Sequence, residues 1–507
     1  MAKFELVKHK ITNSLIMQRN KGIQQISEIG DKFKNANSLS TTFTNVLKEF
    51  KLTKINKELK CSKSKGIDSS HLFKILFLLP FIGILNISAL LLSGYSPEII
   101  ARKDAFYAFM NSNCINWRKI VLLFSKQFIK IVKQKSIDID GEKQEPKCLI
   151  IDDTTLEKTG KKIELIGKVF DHCSNAYKLG MKVLTLGFWD GKSFIPLDFS
   201  IHNEPSKTQN RGLKRKDLEA QYTKQRGDDT FGALRMIEVS KSKIEMAIVM
   251  IKSAIKNGFV PEYILADSWF IADDFIKSIM EIKQKVAAKI HVIGLMKTNR
   301  IVSLNGKNIK AELLPEIKQK LIQKNRMFKC SYIPLIVNYK GTELKAFLVK
   351  MNGQNTWKML ITTDKTLSFI KAMKYYQIRW SIEVFFKEAK QNLHFGKCQS
   401  NDFDAHIASI SICFMNYMLL ALAKRFESYE TLGQVFRAMK DDILEDTLIV
   451  KLWKFIKEIF ENALGELGID WELFIEKIIQ SDDILEKFKN MFNFLFQLDR
   501  KTGNSNV

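Results

Sequence analysis

Residues 376–390 read YQIRWSIEVFFKEAK, and this stretch decides how the rest of the chain is interpreted. An α-helix turns by about 100° per residue, which places the apolar residues of the stretch on one side. A second side, an arc of roughly 80°, carries Tyr376, Arg379, Glu383, Lys387 and Lys390. The stretch therefore predicts a single helix that packs in a core and presents one carboxylate among groups that hydrogen-bond phosphate.

The same polar face has a second interpretation, a solvated ladder of ion pairs. Arg379–Glu383 and Glu383–Lys387 are both spaced i,i+4, and such pairs contribute only about 0.2–0.5 kcal/mol each. Whether the face is a ladder or part of a site depends on whether other acidic residues meet it in the fold.

Two further acidic positions follow short apolar runs. Residues 148–151 are continuously apolar, as in a strand that is buried on both faces, and lead into Asp152 and Asp153. Residues 263–266 repeat this pattern and lead into Asp267. Functional sites of α/β folds form at the carboxyl ends of strands, so these acids are candidates for one site. The alternative role of Asp267 is to cap the helix that follows it.

The elements between and beyond these acids predict an α/β core with a mixed sheet and flanking helices. Apolar spacing and turn residues predict strands at 181–189 and 193–201 joined at Asp190-Gly191, a helix at 237–255, a helix at about 272–282 and a strand at about 287–296. Strands at 329–337, 344–351 and 357–363 predict a β-rich insertion. The long apolar stretch 406–425 predicts a further helix.

The outer regions read as helical. We expect a DNA-binding region at 1–140, a core at 147–297 and 365–425, an insertion at 298–364 and a C-terminal region at 426–507. The segment 96–131 contains the basic residues Arg102, Lys103, Arg118, Lys119, Lys126 and Lys130, which suit phosphate contact or simply a solvated helical domain. Residues 428–495 are rich in acid, which favours dimerisation or a structural cap.

Composition narrows the class of partner. The 507 residues carry a formal net charge of +25, which points to nucleic acid or an anionic membrane. Seven scattered Cys and seven scattered His show no zinc-type spacing. Residues 75–95 are uncharged and long enough to span a bilayer, but Pro80, Gly83, Asn86 and Ser88 divide them, so a buried helix pair is favoured. The N-terminus has no apolar segment typical of a secretory signal.

The spacing Tyr376-x2-Arg379-x3-Glu383-x6-Lys390 resembles the Y-R-E-K signature of the IS-four family of bacterial insertion-sequence transposases. The resemblance extends over about 147–420. It implies a ribonuclease-H-like catalytic domain with a DDE triad and a β-rich insertion before the Glu. On this resemblance the triad is Asp153, Asp267 and Glu383, because the family's first acid precedes Thr or Ser, which favours Asp153 over Asp152.

The resemblance also implies ligands for these residues. The triad would hold two Mg²⁺ ions, with Mn²⁺ as a substitute. Tyr376, Arg379, Lys387 and Lys390 would bind phosphates of the element's ends, and Trp357 would stack on a flipped base, although a lone Trp is often a core residue. A basic loop follows the predicted strand 193–201. Its residues Lys214, Arg215 and Lys216 are a further expected DNA contact.

The implied function is cut-and-paste transposition. A bacterial, cytoplasmic and nucleoid-associated homodimer would cleave double-stranded DNA at the terminal inverted repeats of its element and join the ends to target DNA. The alternatives are a ribonuclease-H-like nuclease without strand transfer, a catalytically inactive DNA-binding derivative, and a basic membrane-associated protein.

Overall fold

The acid-bearing strand 148–157 lies inside a twelve-stranded mixed sheet. The structure is a computed structural model that describes residues 47–59, 66–93, 101–135, 145–171, 174–204, 211–286, 288–426 and 429–441. The strands are β1 (Cys148–Glu157), β2 (Gly167–Asp171), β3 (Ala176–Trp189), β4 (Phe194–His202), β5 (Tyr263–Ala266), β6 (His291–Met296), β7 (Ile301–Leu304), β8 (Lys307–Lys310), β9 (Gln323–Asn325), β10 (Cys330–Tyr339), β11 (Thr342–Met351) and β12 (Lys358–Thr362).

Helices cover the sheet and form the region before it. They are α1 (Thr53–Leu59), α2 (Ser69–Leu78), α3 (Ile87–Leu92), α4 (Lys103–Met110), α5 (Trp117–Lys135), α6 (Arg215–Glu219), α7 (Phe231–Val239), α8 (Lys243–Lys256), α9 (Asp273–Val286), α10 (Leu314–Ile317), α11 (Phe369–Gln377), α12 (Trp380–Asn392) and α13 (Phe403–Phe426).

The middle of the sheet has the strand order β4-β3-β1-β5-β6. β1 pairs antiparallel with β3 and parallel with β5, and β5 pairs parallel with β6. The predicted strand and helix order is confirmed here, including the hairpin at Asp190-Gly191, where Gly191 has φ +103°. The parallel register of Ile151 with Ala266 places Asp152 and Asp153, in the middle of β1, level with Asp267, which directly follows β5. The strand predicted at 148–151 thus continues through the two acids to Glu157.

The β-rich insertion continues this sheet. β6 pairs with β12, and the order then runs β12-β11-β10-β7-β8. The three predicted strands are confirmed as β10, β11 and β12 within two residues at each end. The hairpin of β7 and β8, the short β9 and α10 were not predicted, because each is only three or four residues long and too short to show a hydrophobic period.

Two helix predictions need correction. The stretch 376–390 is divided between α11 and α12. At the junction the Ile378 and Arg379 amides donate to Tyr375 and Tyr376 carbonyls, which is the tighter i→i−3 pattern. The predicted helix 237–255 is likewise two helices, α7 and α8. The break falls at Ser242, whose side chain and that of Glu245 form a capping box.

The helical region before the sheet agrees with its prediction where it is described. Residues 75–95 contain the end of α2 and all of α3, separated around Pro80. Residues 1–46, residues 94–100 and the acidic region beyond residue 441 lie outside the described residues. Within the described part, α13 alone is long and apolar enough to cross a bilayer, and 94% of its apolar window is buried in the protein, as in a core helix.

Residues 46–436 form one compact unit, and residues 1–45 with 437–507 form the other. Of the second unit the structure describes only the helical residues 437–441. In the first unit, Arg118 does not offer a free cation to DNA: its Nε donates to Asp198 at 2.8 Å and its guanidinium also pairs with Glu238. This basic residue of the N-terminal region therefore ties α5 to β4 and α7.

Phe385 fixes α12 on the sheet. Its ring centroid lies 5.5 Å from Phe194 of β4, and 5.2 Å and 4.8 Å from Phe414 and Tyr417 of α13. The ring is fully buried. Because Glu383 lies two residues earlier on the same helix, this aromatic cluster determines where the carboxylate stands.

We expect Phe385→Ala to lower the free energy of unfolding by about 3–5 kcal/mol, because it removes a buried ring and leaves a cavity. Urea denaturation measures the change. The matched control on the same helix is Lys387→Ala, an exposed position, which should stay within about 0.5 kcal/mol of the parent chain. Equal stability of the two variants would show that α12 does not depend on this cluster.

Candidate active site

Asp152 and Asp153 lie next to each other on β1 and point to opposite faces of the sheet, because successive side chains of a strand alternate. Asp152 faces α12, where it meets Arg379. Asp153 faces α8, where it meets Lys243. The two acids therefore belong to different surroundings despite their adjacency in sequence.

One guanidinium joins the first acid to the third. Arg379 Nη1 donates to Asp152 Oδ2 at 2.8 Å, and Arg379 Nη2 donates to Glu383 Oε1. Asp152 Oδ1 accepts a second bond from the amide of Asp153 at 2.8 Å. The Arg379 side chain is largely buried, so these contacts bring the sheet acid and the helix acid around one cation. The predicted i,i+4 pair of Arg379 and Glu383 is confirmed.

Burial raises the pKa of Asp152 to about 7, and Arg379 opposes this shift, while the charges of Asp153 and Asp267 add to it. The charge of Asp267 likewise raises the pKa of Tyr376. Asp267 is therefore close enough to both residues to act on them electrostatically. A further positive charge beside Asp152 would therefore stabilise its ionised carboxylate.

Asp267 occupies the first position of a turn directly after β5, in which the Phe270 amide donates to the Asp267 carbonyl at 3.0 Å. α9 begins only at Asp273, so the alternative role of Asp267 as the cap of this helix is wrong. The turn leaves Asp267 at the end of β5, level with the middle of β1.

Tyr376 and Lys390 complete the α12 side of the site. The Arg379 guanidinium carbon lies 5.8 Å from the centre of the Tyr376 ring, and burial raises the pKa of Tyr376 to about 12. Lys390 Nζ donates to Thr154 Oγ1 at 2.7 Å. Thr154 lies on the same face of β1 as Asp152. The chain therefore contacts this face through Arg379 at the start of α12 and through Lys390 near the end of α12.

Asp153 is bound by lysines on the other face. Its Oδ2 accepts from Lys243 Nζ at 3.0 Å, and Lys182 Nζ lies 3.8 Å away. The structure thus places Asp152, and not Asp153, against Arg379 and Glu383. The sequence-based preference for Asp153 as the catalytic acid stays a prediction, since the Thr that follows it does not show which face of the strand each acid occupies.

The remaining predicted DNA contacts lie apart from this cluster. Lys387 is exposed on α12 and forms no ion pair with Glu383 in the described structure, so that pair of the ladder is wrong. Trp357 is half-buried and precedes β12 instead of starting it. Lys214, Arg215 and Lys216 are exposed at the start of α6, where Arg215 pairs with Glu219 at 2.8 Å.

Sequence reasoning missed Lys243 and the role of Trp269. Lys243 Nζ lies 4.3 Å from the centre of the Trp269 ring, and Trp269 stands two residues after Asp267. Lys243 is the first residue of α8, which the sequence concealed inside a longer predicted helix. A signal was present in the Ser242…Glu245 capping-box pattern, which marks a helix start.

Among the described residues, no three His, Cys, Asp or Glu side chains stand in a geometry that could hold a metal ion. Arg379 instead lies between Asp152 and Glu383. The donor set nevertheless fits a hard divalent cation, since it consists of carboxylate oxygens. The raised pKa of Asp152, which burial causes first and the neighbouring acids increase, also fits, because a bound cation would favour its charged form.

A mixed sheet with this strand order, with one acid inside β1, one directly after the parallel strand β5 and one on a helix packed against the sheet, is consistent with a ribonuclease-H-like core of a DDE enzyme. The family model described as "Transposase DDE domain" matches residues 143–419, which is more than half of the chain. The protein belongs to this family. Its DDE domain is a catalytic domain that cleaves DNA and transfers strands. No curated protein matches the chain.

Arg379→Gln tests whether the guanidinium bridge holds α12 against β1. Removing the cation leaves Asp152 and Glu383 without their shared donor, and loss of a hydrogen-bonded charged partner costs about 1–3 kcal/mol. We expect the midpoint of urea unfolding to fall accordingly at neutral pH. The control Arg215→Gln removes an exposed pair and should change stability by less than about 0.5 kcal/mol; a similar loss in both variants would contradict the bridge.

Proposed function

We propose that Asp152, Asp267 and Glu383 form the catalytic triad of a cut-and-paste transposase. The observation that supports this most directly is the shared guanidinium of Arg379, which joins the acid of β1 to the acid of α12 beside Asp267. The three residues come from the middle of β1, from the position directly after β5 and from the first turn of α12. This choice replaces Asp153 by Asp152 in the triad inferred from sequence.

DDE transposases use divalent metal ions, and the three carboxylates are the groups that would hold Mg²⁺ here, with Mn²⁺ as a substitute. When bound, two such ions supply a nucleophile and stabilise the oxygen that leaves during phosphodiester cleavage. The residues themselves provide oxygen ligands on rigid elements, which is what Mg²⁺ prefers. Without positive charge between them the carboxylates repel, by about 4 kcal/mol for two charges 4 Å apart at an effective dielectric of 20.

Arg379 has a double role in this proposal. In the free protein it bonds Asp152 and Glu383, and burial by itself lowers its pKa while Tyr376, Asp152, Glu383 and Asp267 raise it. It is therefore a permanent cation at the site. With DNA present, a phosphate of the element's end offers the same guanidinium a bidentate acceptor. The Tyr376 ring lies against the Arg379 guanidinium, and Lys390 bonds Thr154. Both residues are therefore placed for neighbouring phosphates.

The DNA partner is proposed to be the terminal inverted repeats of an insertion sequence and the target into which it is joined. The charge of +25 provides the attraction to the phosphate backbone. Two ends must be brought together before they are cut, which supports a homodimer. The proposed location is the bacterial cytoplasm, in association with the nucleoid. A ribonuclease-H-like nuclease that cleaves without strand transfer is the alternative, and a strand-joining assay separates the two.

Asp152→Asn, Asp267→Asn and Glu383→Gln should each abolish Mg²⁺-dependent cleavage of a DNA carrying the element's ends. We expect a loss of at least about a thousandfold, because an amide oxygen is a poor replacement for a carboxylate that holds the metal. Gel shifts should show that DNA binding is largely retained. Asp153→Asn should keep measurable cleavage, and the exposed Asp274→Asn on α9 should match the parent chain.

The comparison of the two adjacent acids decides the assignment. If Asp153→Asn lost all cleavage while Asp152→Asn stayed active, the triad would contain Asp153 and the face of β1 against α12 would not be the catalytic one. If all the variants cleaved normally, the catalytic site would lie elsewhere in the chain.

Lys390→Ala should weaken binding to DNA and flatten its dependence on salt. Each phosphate contact that is lost should change the slope of log K against log salt by about 0.9. The matched variant Lys390→Arg keeps the charge and should keep the slope. A slope that is equal in all three proteins would show that Lys390 only fastens α12 to Thr154, as the solvated-ladder interpretation of the helix requires.

A further inference from the structure

We propose that five lysines along one edge of the sheet, here called the lysine track, bind the phosphates of duplex DNA on one side of the cleavage site. The track consists of Lys297, Lys358, Lys350, Lys329 and Lys324. The proposal rests on the proposed function, since DNA must lie at the triad. It assigns to the β-rich insertion, and to the turn before it, the task of holding the duplex beyond the acids.

Strand directions determine which ends of the insertion strands lie beside the acids. β5 and β6 run parallel, so β6 ends at the same edge as β5, where Asp267 follows. β12 runs antiparallel to β6, β11 to β12, and β10 to β11. The last residues of β6 and β11 and the first residues of β12 and β10 therefore all lie at the edge that carries Asp267.

Each of these strand ends carries a lysine. Lys297 directly follows β6, and Lys358 is the first residue of β12. Lys350 is the last residue but one of β11, and Lys329 directly precedes β10. Lys324 is the middle residue of β9, which pairs with the start of β10. Lys350 is half-buried and the other four are exposed, so the ammonium groups form a row that solvent and DNA can reach.

Acidic residues do not neutralise this row. The connections at this edge, residues 297–300, 323–329 and 352–357, contain no Asp or Glu, and in the described part of the chain none of the five lysines forms an ion pair. The opposite edge carries Glu343 near the start of β11 and Asp364 after β12, where they contact Lys365 and Tyr263. The uncompensated positive charge is therefore concentrated at the edge of the acids, where it attracts phosphate.

The strand order gives the length of the track. From β1 the order is β5, β6, β12, β11 and β10, so β10 lies five strand positions away. Neighbouring strands are about 4.8 Å apart, which places the far end of the track about 24 Å from Asp152. A DNA duplex rises about 3.4 Å per base pair. A duplex that follows this edge would therefore contact the track over about seven base pairs next to the scissile phosphate.

A membrane surface is the competing partner for this part of the chain. Leu321, Ile322 and Met327 are exposed beside β9, and cations together with apolar side chains also suit an anionic bilayer. DNA is favoured for two reasons. The row of lysines leads away from an acid of a domain that cleaves DNA. The apolar residues are confined to the segment around β9, whereas the lysines continue along the edge to β6.

The first test measures binding of the full chain to a mixed-sequence duplex of thirty base pairs by fluorescence anisotropy, in EDTA and over a range of salt concentrations. The track variant combines Lys297→Gln, Lys324→Gln and Lys358→Gln. The control variant combines Lys285→Gln, Lys289→Gln and Lys340→Gln, three exposed lysines near the opposite edge. We expect the slope of log K against log salt to fall by about 2.7 in the track variant, about 0.9 for each lost phosphate contact, and by less than about 0.9 in the control.

Because both variants lose the same charge, equal slopes in the two would show that DNA responds only to net charge, and this would overturn the track. An unchanged slope in the track variant would overturn it as well. Each single variant should change the slope by about 0.9, which keeps the test valid if the triple variant does not fold. Vesicles of phosphatidylcholine and phosphatidylserine test the competing partner. If only the track variant stopped sedimenting with them while its DNA slope stayed at the parent value, the surface would bind a membrane.

The second test locates the track relative to the cut. It uses the duplex of the cleavage assay, shortened one base pair at a time from either terminus. The affinity of the parent chain should fall at least about tenfold once fewer than about seven base pairs remain on the side that lies along the track, because several phosphate contacts are lost. The track variant should show no such step.

The side on which the step occurs shows whether the track holds the element or the flanking DNA. Absence of a step on both sides would contradict the placement of the track beside the acids. The proposed function fails on a different measurement, namely absence of Mg²⁺-dependent cleavage by the parent chain, whereas the track can fail in EDTA with cleavage intact.

Discussion

The site depends on one ionic contact, the guanidinium of Arg379 between Asp152 and Glu383. It connects the central strand to a helix that the sheet also holds through apolar side chains and through the Lys390–Thr154 hydrogen bond. Two carboxylates that face each other in a partly buried place need positive charge, and Arg379 provides it in the free protein. The same need for charge makes the place suitable for divalent metal ions, so the contact both stabilises the fold and prepares the chemistry.

Because side chains alternate along β1, its two adjacent acids face different surroundings. Asp152 faces α12 with its arginine, and Asp153 faces α8 with its lysines. In the proposed arrangement one face holds the metal ions and the other holds Lys243, which is placed over Trp269.

The β-rich insertion and the core share one continuous sheet. Because β12 pairs with β6, the strands between the second and third acids extend the sheet. After β12 the chain continues directly into α11 and α12, which brings Glu383 to the other two acids. The aromatic cluster of Phe385 with α13 fixes the helix on the other side, so the position of Glu383 is determined from both directions.

Sequence alone determined most of the elements and the residues around which they are arranged. Continuous apolar runs marked β1 and β5, since strands buried on both faces need apolar side chains at every position, and turn residues marked the hairpin at Asp190-Gly191. The spacing of Tyr376, Arg379, Glu383 and Lys390 marked the helical face of the site. Tertiary structure decided the rest. Which of Asp152 and Asp153 faces Glu383 depends on the packing of α12, and the break at Arg379 depends on how the chain bends onto the sheet. Trp269 and Lys243 meet although 25 residues of helix and loop separate them, and a local pattern carries no information about such a contact.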